Sequence, residues 1–269
     1  MAHSPESPEP GRALVTGASR GIGRAIAERL ARRGVGLALV ARDARALDEV
    51  RGRVEALGAA CRTYAADLRD PSVPARIVAE ALADLGGLDT LVNNAGTAPS
   101  DRIEHTSDQT LDEVLDLHVK APFRLVRALL PHLRGLPAAW IVQVASSAGL
   151  RGFPFTAAYG AAKHAMVGLT RALGAELAST AIRVRALCPG FVDTEITRGA
   201  ARAVAARGRT SADEALRRMG AMNRLGRMLT ADEVAAAVED LLFHGDGLEN
   251  GAVLDLDCLP PRPVHNVTS

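Results

Sequence analysis

Two kinds of pattern alternate along the chain. Short, nearly continuous apolar runs fall at 13–16, 36–41, 61–65, 90–93, 140–145, 183–188 and 252–256. Between them, apolar residues return every three or four positions across 23–33, 44–57, 73–85, 107–133, 158–178 and 231–243. Runs of the first kind predict strands and those of the second predict amphipathic helices. Strands alternating with helices predict a parallel sheet, and right-handed crossovers wind it in both directions. The expectation is an α/β fold: a doubly wound, seven-stranded parallel sheet with helices on both faces, in one domain over 12–258. Residues 1–11 and 259–269 are expected to be tails. One irregular insertion, 190–228, leaves the carboxyl end of the sixth strand. Ligands of such sheets bind beyond those ends, so the insertion is expected to cover a substrate.

The turn after the first strand reads Thr16-Gly17-Ala18-Ser19-Arg20-Gly21-Ile22-Gly23 and opens the first helix. Glycines allow a tight turn and the close approach of a pyrophosphate, and a helix N-terminus offers free N–H groups. This placement predicts a dinucleotide-binding Rossmann fold. The second strand ends in Ala41, where an NAD-preferring fold places an acid on the ribose hydroxyls. Arg42 follows it, and Arg20 lies in the glycine turn. Two guanidinium groups suit a 2′-phosphate, so NADPH is the expected cofactor.

Composition removes several function classes. Thirty-two basic and 31 acidic residues leave a formal charge of +1, which gives no reason to expect nucleic acid or an acidic membrane as partner. No apolar run approaches the ~20 residues of a membrane span. Cys61, Cys188 and Cys258 are an odd, dispersed set, which argues for reduced thiols in a cytoplasmic protein and against a zinc site. Asn266-Val267-Thr268 spells a glycosylation sequon and is taken as chance. Only Lys120 and Lys163 are lysines, so a lysine here is a candidate for specific chemistry. Lys163 follows Tyr159 by four residues at the start of a predicted helix, and the two share a face. Ser146 closes the fifth strand. A neighbouring ammonium is expected to lower the phenol's pKa, and a serine hydroxyl to hold a substrate oxygen beside it. The trio suits proton transfer to a developing alkoxide.

With these pieces the sequence resembles the short-chain dehydrogenase/reductase family from Arg12 to about Asp257. The matching motifs are the glycine turn, Asp67-Leu68, Asn93-Asn94-Ala95-Gly96, Ser146, Tyr159-x-x-x-Lys163, and Pro189-Gly190 followed by Thr194. The resemblance implies a cofactor site at Gly17, Ser19, Arg20, Gly21, Ile22, Gly23 and Arg42. Asp67 and Leu68 would flank the adenine, and Asn94, Ala95 and Gly96 would border the crevice. Lys163 would bond the nicotinamide ribose. Pro189 and Gly190 would lead to Val192 and Thr194 at the carboxamide. Tyr159 would be the general acid, with hydride leaving the 4-pro-S face. Within the family the chain most resembles 3-oxoacyl-(acyl carrier protein) reductases and polyketide ketoreductases, which implies an NADPH-dependent reductase of a ketone, a β-ketoacyl or polyketide intermediate. The alternatives are an NADP-dependent secondary alcohol dehydrogenase and a catalytically idle dinucleotide-binding regulator. The resemblance also implies a homotetramer or homodimer, paired through the helices at 107–133 and 158–178.

Three positions depart from the family. His118 stands where a catalytic Asn is usual, so it either holds water for the lysine in the amide's place or merely packs. As a relay it is expected to add an ionisation between about pH 5.5 and 7.5. Arg185 replaces an Asn four residues before Pro189. Cys258-Leu259 replaces a closing glycine pair. Finally, the insertion carries eight arginines and four acids. Those arginines are either a landing surface for an acidic acyl carrier protein or the solvated face of a helical lid.

Overall fold

The central strands bury both of their faces. In β1 (Arg12–Thr16), Ala13 and Val15 enter one core while Leu14 enters the other. Complete burial of such a leucine contributes ~1.5–3 kcal/mol. The computed structural model describes residues 9–208, 210–257 and 262–263. The further parallel strands are β2 (Gly36–Ala41), β3 (Cys61–Ala65), β4 (Thr90–Asn93), β5 (Ala139–Val144), β6 (Ile182–Cys188) and β7 (Val253–Asp255). They lie in the order β3-β2-β1-β4-β5-β6-β7. The predicted seven-stranded parallel sheet is therefore present. A two-residue strand, β8 (Arg262–Pro263), adds antiparallel to β7 within the stretch expected to be tail. Gly11, at the other expected tail, donates its N–H to Asp89 Oδ2 at 2.8 Å. The sequon at Asn266 and the Cys258-Leu259 departure lie outside the described residues.

Helices α1 (Gly21–Arg32), α2 (Ala44–Ala56) and α9 (Ala231–Phe243) cover one face. The other carries α3 (Val73–Leu85), α5 (Ala121–Leu133) and α6 (Ala157–Glu176). β1 pairs with both β2 and β4. Winding therefore reverses between β1 and β4, and a crevice opens beyond their carboxyl ends. The insertion folds as α7 (Glu195–Arg207) and α8 (Ala212–Ala221).

The long helix expected over 107–133 is not regular. It runs as α4 (Asp108–Leu115), a π turn at Asp116–Lys120, and α5. Pro122 explains the fault. It has no N–H to give to the carbonyl of His118, four residues back. The Ala121 N–H reaches instead to Asp116 O, five residues back. The widened turn places His118 among the buried residues, 1% exposed.

Candidate active site

The glycine turn is shaped by what approaches it. Gly17 and Gly21 hold φ of 65° and 54°, where a side chain is strained. A Cβ on Gly17 would lie 2.8 Å from Ala95 Cα, and one on Gly23 would lie 2.2 Å from Gly17 O. Asn94 holds this turn to the end of β4: its N–H donates to Thr16 Oγ1 at 2.9 Å and its Nδ2 to Thr16 O at 2.9 Å. Ala95 N–H donates to the same hydroxyl at 3.0 Å. Thr16 is thus a fixing point that sequence reading passed over. Ser19 and Arg20 lead into α1, whose N-terminus has no side-chain cap, and Ile22 packs on the core behind it. The uncapped N–H groups and the cramped glycines fit a pyrophosphate.

Arg20 and Arg42 are exposed and line the same large crevice. Neither side chain has a hydrogen bond or ion pair among the described residues, although the Arg42 charge acts on Asp67. Asp67 sits below them at the end of β3. Its carboxylate is gripped by Arg69, with Nη2 at 2.7 Å, and that hydrogen bond holds its pKa below the usual value. Leu68 is buried beside it.

The predicted trio comes together. Ser146 follows β5, and its Oγ accepts the Ala148 N–H at 3.1 Å. Tyr159 and Lys163 occupy the first turns of α6, with Nζ 5.8 Å from the phenol ring centre. Lys163 is buried, donates to Val144 O at 3.0 Å, and is brought down to about 8 by desolvation. The expected lowering of the Tyr159 pKa is not found. Burial raises it and outweighs the opposing hydrogen bond from Ser146. Tyr159 is therefore held as a phenol, the form that gives a proton.

His118 stands edge-on to Tyr159, with ring centres 5.6 Å apart at 86°. Its Nε2 is 2.9 Å from Thr97 O and 3.1 Å from Thr97 N, so either neutral tautomer is satisfied there. Nδ1 is buried with no protein partner. The ring also explains Gly96, because a Cβ at that residue would meet His118 Cε1 at 2.6 Å. Burial first, and Lys163 second, push His118 well below its usual pKa. The neutral imidazole is therefore favoured, and the ionisation expected between about pH 5.5 and 7.5 is moved downward.

Pro189 O accepts the Ser147 N–H at 2.7 Å, which ties the strand end to the serine loop. Gly190 is required by Asn223 Oδ1 and Asp257 Oδ1, which would stand 2.4 and 2.6 Å from a Cβ. Val192 is buried and bridges to Leu229. Thr194 opens α7, and its Cγ2 comes within 3.4 Å of the Cβ position on Gly21, so the insertion begins over the glycine turn. Arg185 lies under α9, buried, and donates to Leu241 O at 2.7 Å. Its replacement of an Asn is thus a matter of packing away from the crevice.

The crevice measures about 1050 Å³. Gly96 and the residues after it form one wall, and Ile196, Gly199, Ala200 and Val204 of α7 form the other. Phe155 stands at its mouth, 59% exposed, with φ of 64°. A non-glycine residue held there costs ~1–3 kcal/mol and was invisible in the sequence. The insertion's described arginines are ion-paired. Arg198 pairs with Asp193, Arg202 with Glu195, Arg217 and Arg218 with Glu214, Arg224 with Asp255, and Arg227 with Glu233. Arg207 and Arg209 have no described side chains.

A family model described as short chain dehydrogenase matches residues 12–205. The chain belongs to that family. It is an oxidoreductase of the kind that uses a nicotinamide dinucleotide. A putative ketoacyl reductase of the monensin polyketide synthase from Streptomyces virginiae is 38% identical over 231 residues, 84% of this chain and 87% of that one. Among solved structures, a variant of actinorhodin polyketide ketoreductase with NADPH superposes with a TM-score of 0.86 at 32% identity, covering 92% of this chain and 95% of that one. Carveol dehydrogenase from Mycobacterium avium, in complex with NAD, gives 0.85 at 26%, covering 91% and 95%. No helix among the described residues is long and apolar enough to cross a membrane.

Proposed function

We propose that this short chain dehydrogenase is an NADPH-dependent reductase of bulky ketones, of the polyketide or β-ketoacyl type. The observation that carries the cofactor preference is the free pair Arg20 and Arg42 at the crevice, with Ala41 in the acid's place. Bound there, a reduced nicotinamide supplies the hydride. Ser146 holds the carbonyl oxygen, and the Tyr159 phenol releases its proton to that oxygen as charge develops. Lys163, charged below about pH 8, lies against the Tyr159 ring and favours the phenolate that remains.

His118 is read as the holder of a water for this site. Its ring is fixed by Thr97 and neutral, and its orphaned Nδ1 must find a partner. On this reading His118→Asn keeps substantial turnover, while His118→Ala loses kcat more than cofactor affinity. If His118→Ala turns over like the wild type, the ring only packs.

The intact Ser146, Tyr159 and Lys163 speak against an idle regulator. The missing acid at Ala41 favours reduction over alcohol oxidation. Because the described arginines of the insertion are paired, the insertion is read as a lid and the ketone as free or carried without that landing surface. Cys61 and Cys188, both free and buried, support a cytoplasmic setting. A panel of β-ketoesters, quinones and cyclic ketones, followed by NADPH oxidation, tests the assignment; consumption with none of them contradicts it.

A further inference from the structure

A second, smaller cavity of about 280 Å³ opens beside the crevice. At ~30 Å³ per water it has room for about nine waters, or one substituted ring. It shares Pro99, His105, Thr110 and Phe155 with the main crevice, so the two are neighbouring lobes with common walls. Its far wall is the start of α6, where Ala157 and Ala158 lead directly to Tyr159. A molecule presenting its carbonyl to Tyr159 therefore has this lobe within reach.

Two hydroxyls of the lining have their hydrogens already committed. Thr106 Oγ1 donates to Arg102 O at 3.0 Å. Thr156 Oγ1 donates to Phe153 O at 2.9 Å. Each hydroxyl has one hydrogen, so what it still offers is an oxygen lone pair. These two acceptors suit a guest that brings a donor. Ser100, Asp101, His105 and Thr110 complete the polar lining, and Pro99, Phe155, Ala157 and Ala158 supply apolar walls that suit a ring.

Phe155 is held in place for this role. Its backbone is in the left-handed region, its ring is unburied, and it lines both lobes. Its carbonyl accepts the Asp101 N–H at 2.9 Å, which fastens the loop after Gly96 to the loop before Tyr159. The two walls of the small lobe are thus one unit.

We propose that this lobe is a specificity subsite that receives a hydroxyl-bearing ring of the ketone, the hydroxyl donating its one hydrogen to Thr106 Oγ1 or to Thr156 Oγ1. The proposal rests on the ketone-reductase reading and names the substrate class that reading leaves open. The test uses the complete chain with NADP(H) and two probes, 2-tetralone and 6-hydroxy-2-tetralone, whose distant hydroxyl is not conjugated with the carbonyl. Calorimetry on the oxidised-cofactor complex measures binding, and NADPH oxidation measures turnover. Wild type is expected to bind the hydroxylated probe about three- to tenfold more tightly, the effect of one neutral hydrogen bond. Either Thr106→Val or Thr156→Val, whichever removes the acceptor, should shrink that ratio towards one, through KM more than kcat. Equal binding of the two probes by wild type, no measurable binding of either, or a preference that both variants retain overturns the subsite. A binding preference without turnover keeps the subsite and sinks the reductase reading, so the two failures are told apart.

Discussion

At the residue scale, Phe155 offers a direct test of stored strain. At a φ of 64° an alanine is as strained as phenylalanine and a glycine is not. Phe155→Gly should therefore melt higher than Phe155→Ala, by about 1 kcal/mol in thermal unfolding; an alanine variant that is equally stable or more so contradicts the strain. Gly96 makes the opposite case. Gly96→Ala would drive a methyl into His118 Cε1, and a loss of ~1–3 kcal/mol is expected, with turnover falling as the ring is displaced. The pH behaviour belongs to Lys163. Its folded pKa, about 8, lies below its ordinary 10.5. Between these values the unfolded chain binds a proton that the folded chain has released, so stability rises with pH across that window. Activity goes the other way: kcat/KM for reduction should fall above about pH 8 as the ammonium is lost, and no step should be seen between 5.5 and 7.5. A step in that lower window would restore His118 as a titrating relay.

At the element scale, much was legible because each element carried its own signal. β2, β3 and β4 lie where the apolar runs placed them, and α3 and α9 begin and end at the predicted residues. The π turn was missed because apolar periodicity runs through it. Pro122 was the available clue, since a proline deletes a definite hydrogen bond four residues back. The crevice motifs were legible as residue types, but their dependence on one another was not: Thr16 under Asn94, or Gly96 beneath His118, are meetings of distant segments. The arginines of 190–228 show the same limit. Their charge was plain in the sequence, but their pairing was not: Arg198, Arg202, Arg217 and Arg218 find partners within the insertion, while Arg224 and Arg227 reach Asp255 and Glu233 outside it. The insertion's stalk is held by Asn223, 4% exposed. Its Oδ1 accepts the Phe191 N–H at 2.7 Å, and its Nδ2 donates to Phe191 O and Arg227 O at 2.9 and 2.7 Å. Asn223→Ala leaves these backbone groups unpaired and should cost ~1–3 kcal/mol in chemical unfolding. Because the stalk carries Val192 and Thr194, cofactor KM should rise as well. An unchanged KM would separate the stalk from cofactor binding.

At the scale of the whole molecule, α4 and α5 leave Leu111 and Phe123 exposed on the side away from the sheet, at 37% and 49%. A homodimer or homotetramer through this face and α6 remains the proposal, needing roughly 1,200–2,000 Å² of total contact for each stable pair. Light scattering at micromolar concentration should show it, and Phe123→Asp should shift it towards monomer; a monomeric wild type contradicts it. The central claim joins fold, crevice and chemistry: the glycine turn seats a dinucleotide, Arg20 and Arg42 choose its phosphorylated form, and Tyr159 protonates the reduced ketone. The most direct measurement is kcat/KM for NADPH and for NADH with one cyclic ketone, in wild type and in Arg42→Ala. The loss of one charge-assisted contact costs ~1.5–3 kcal/mol, so wild type should prefer NADPH by roughly one to two decades and Arg42→Ala should lose most of that preference. Equal use of both cofactors by wild type, or a preference untouched by Arg42→Ala, contradicts the account.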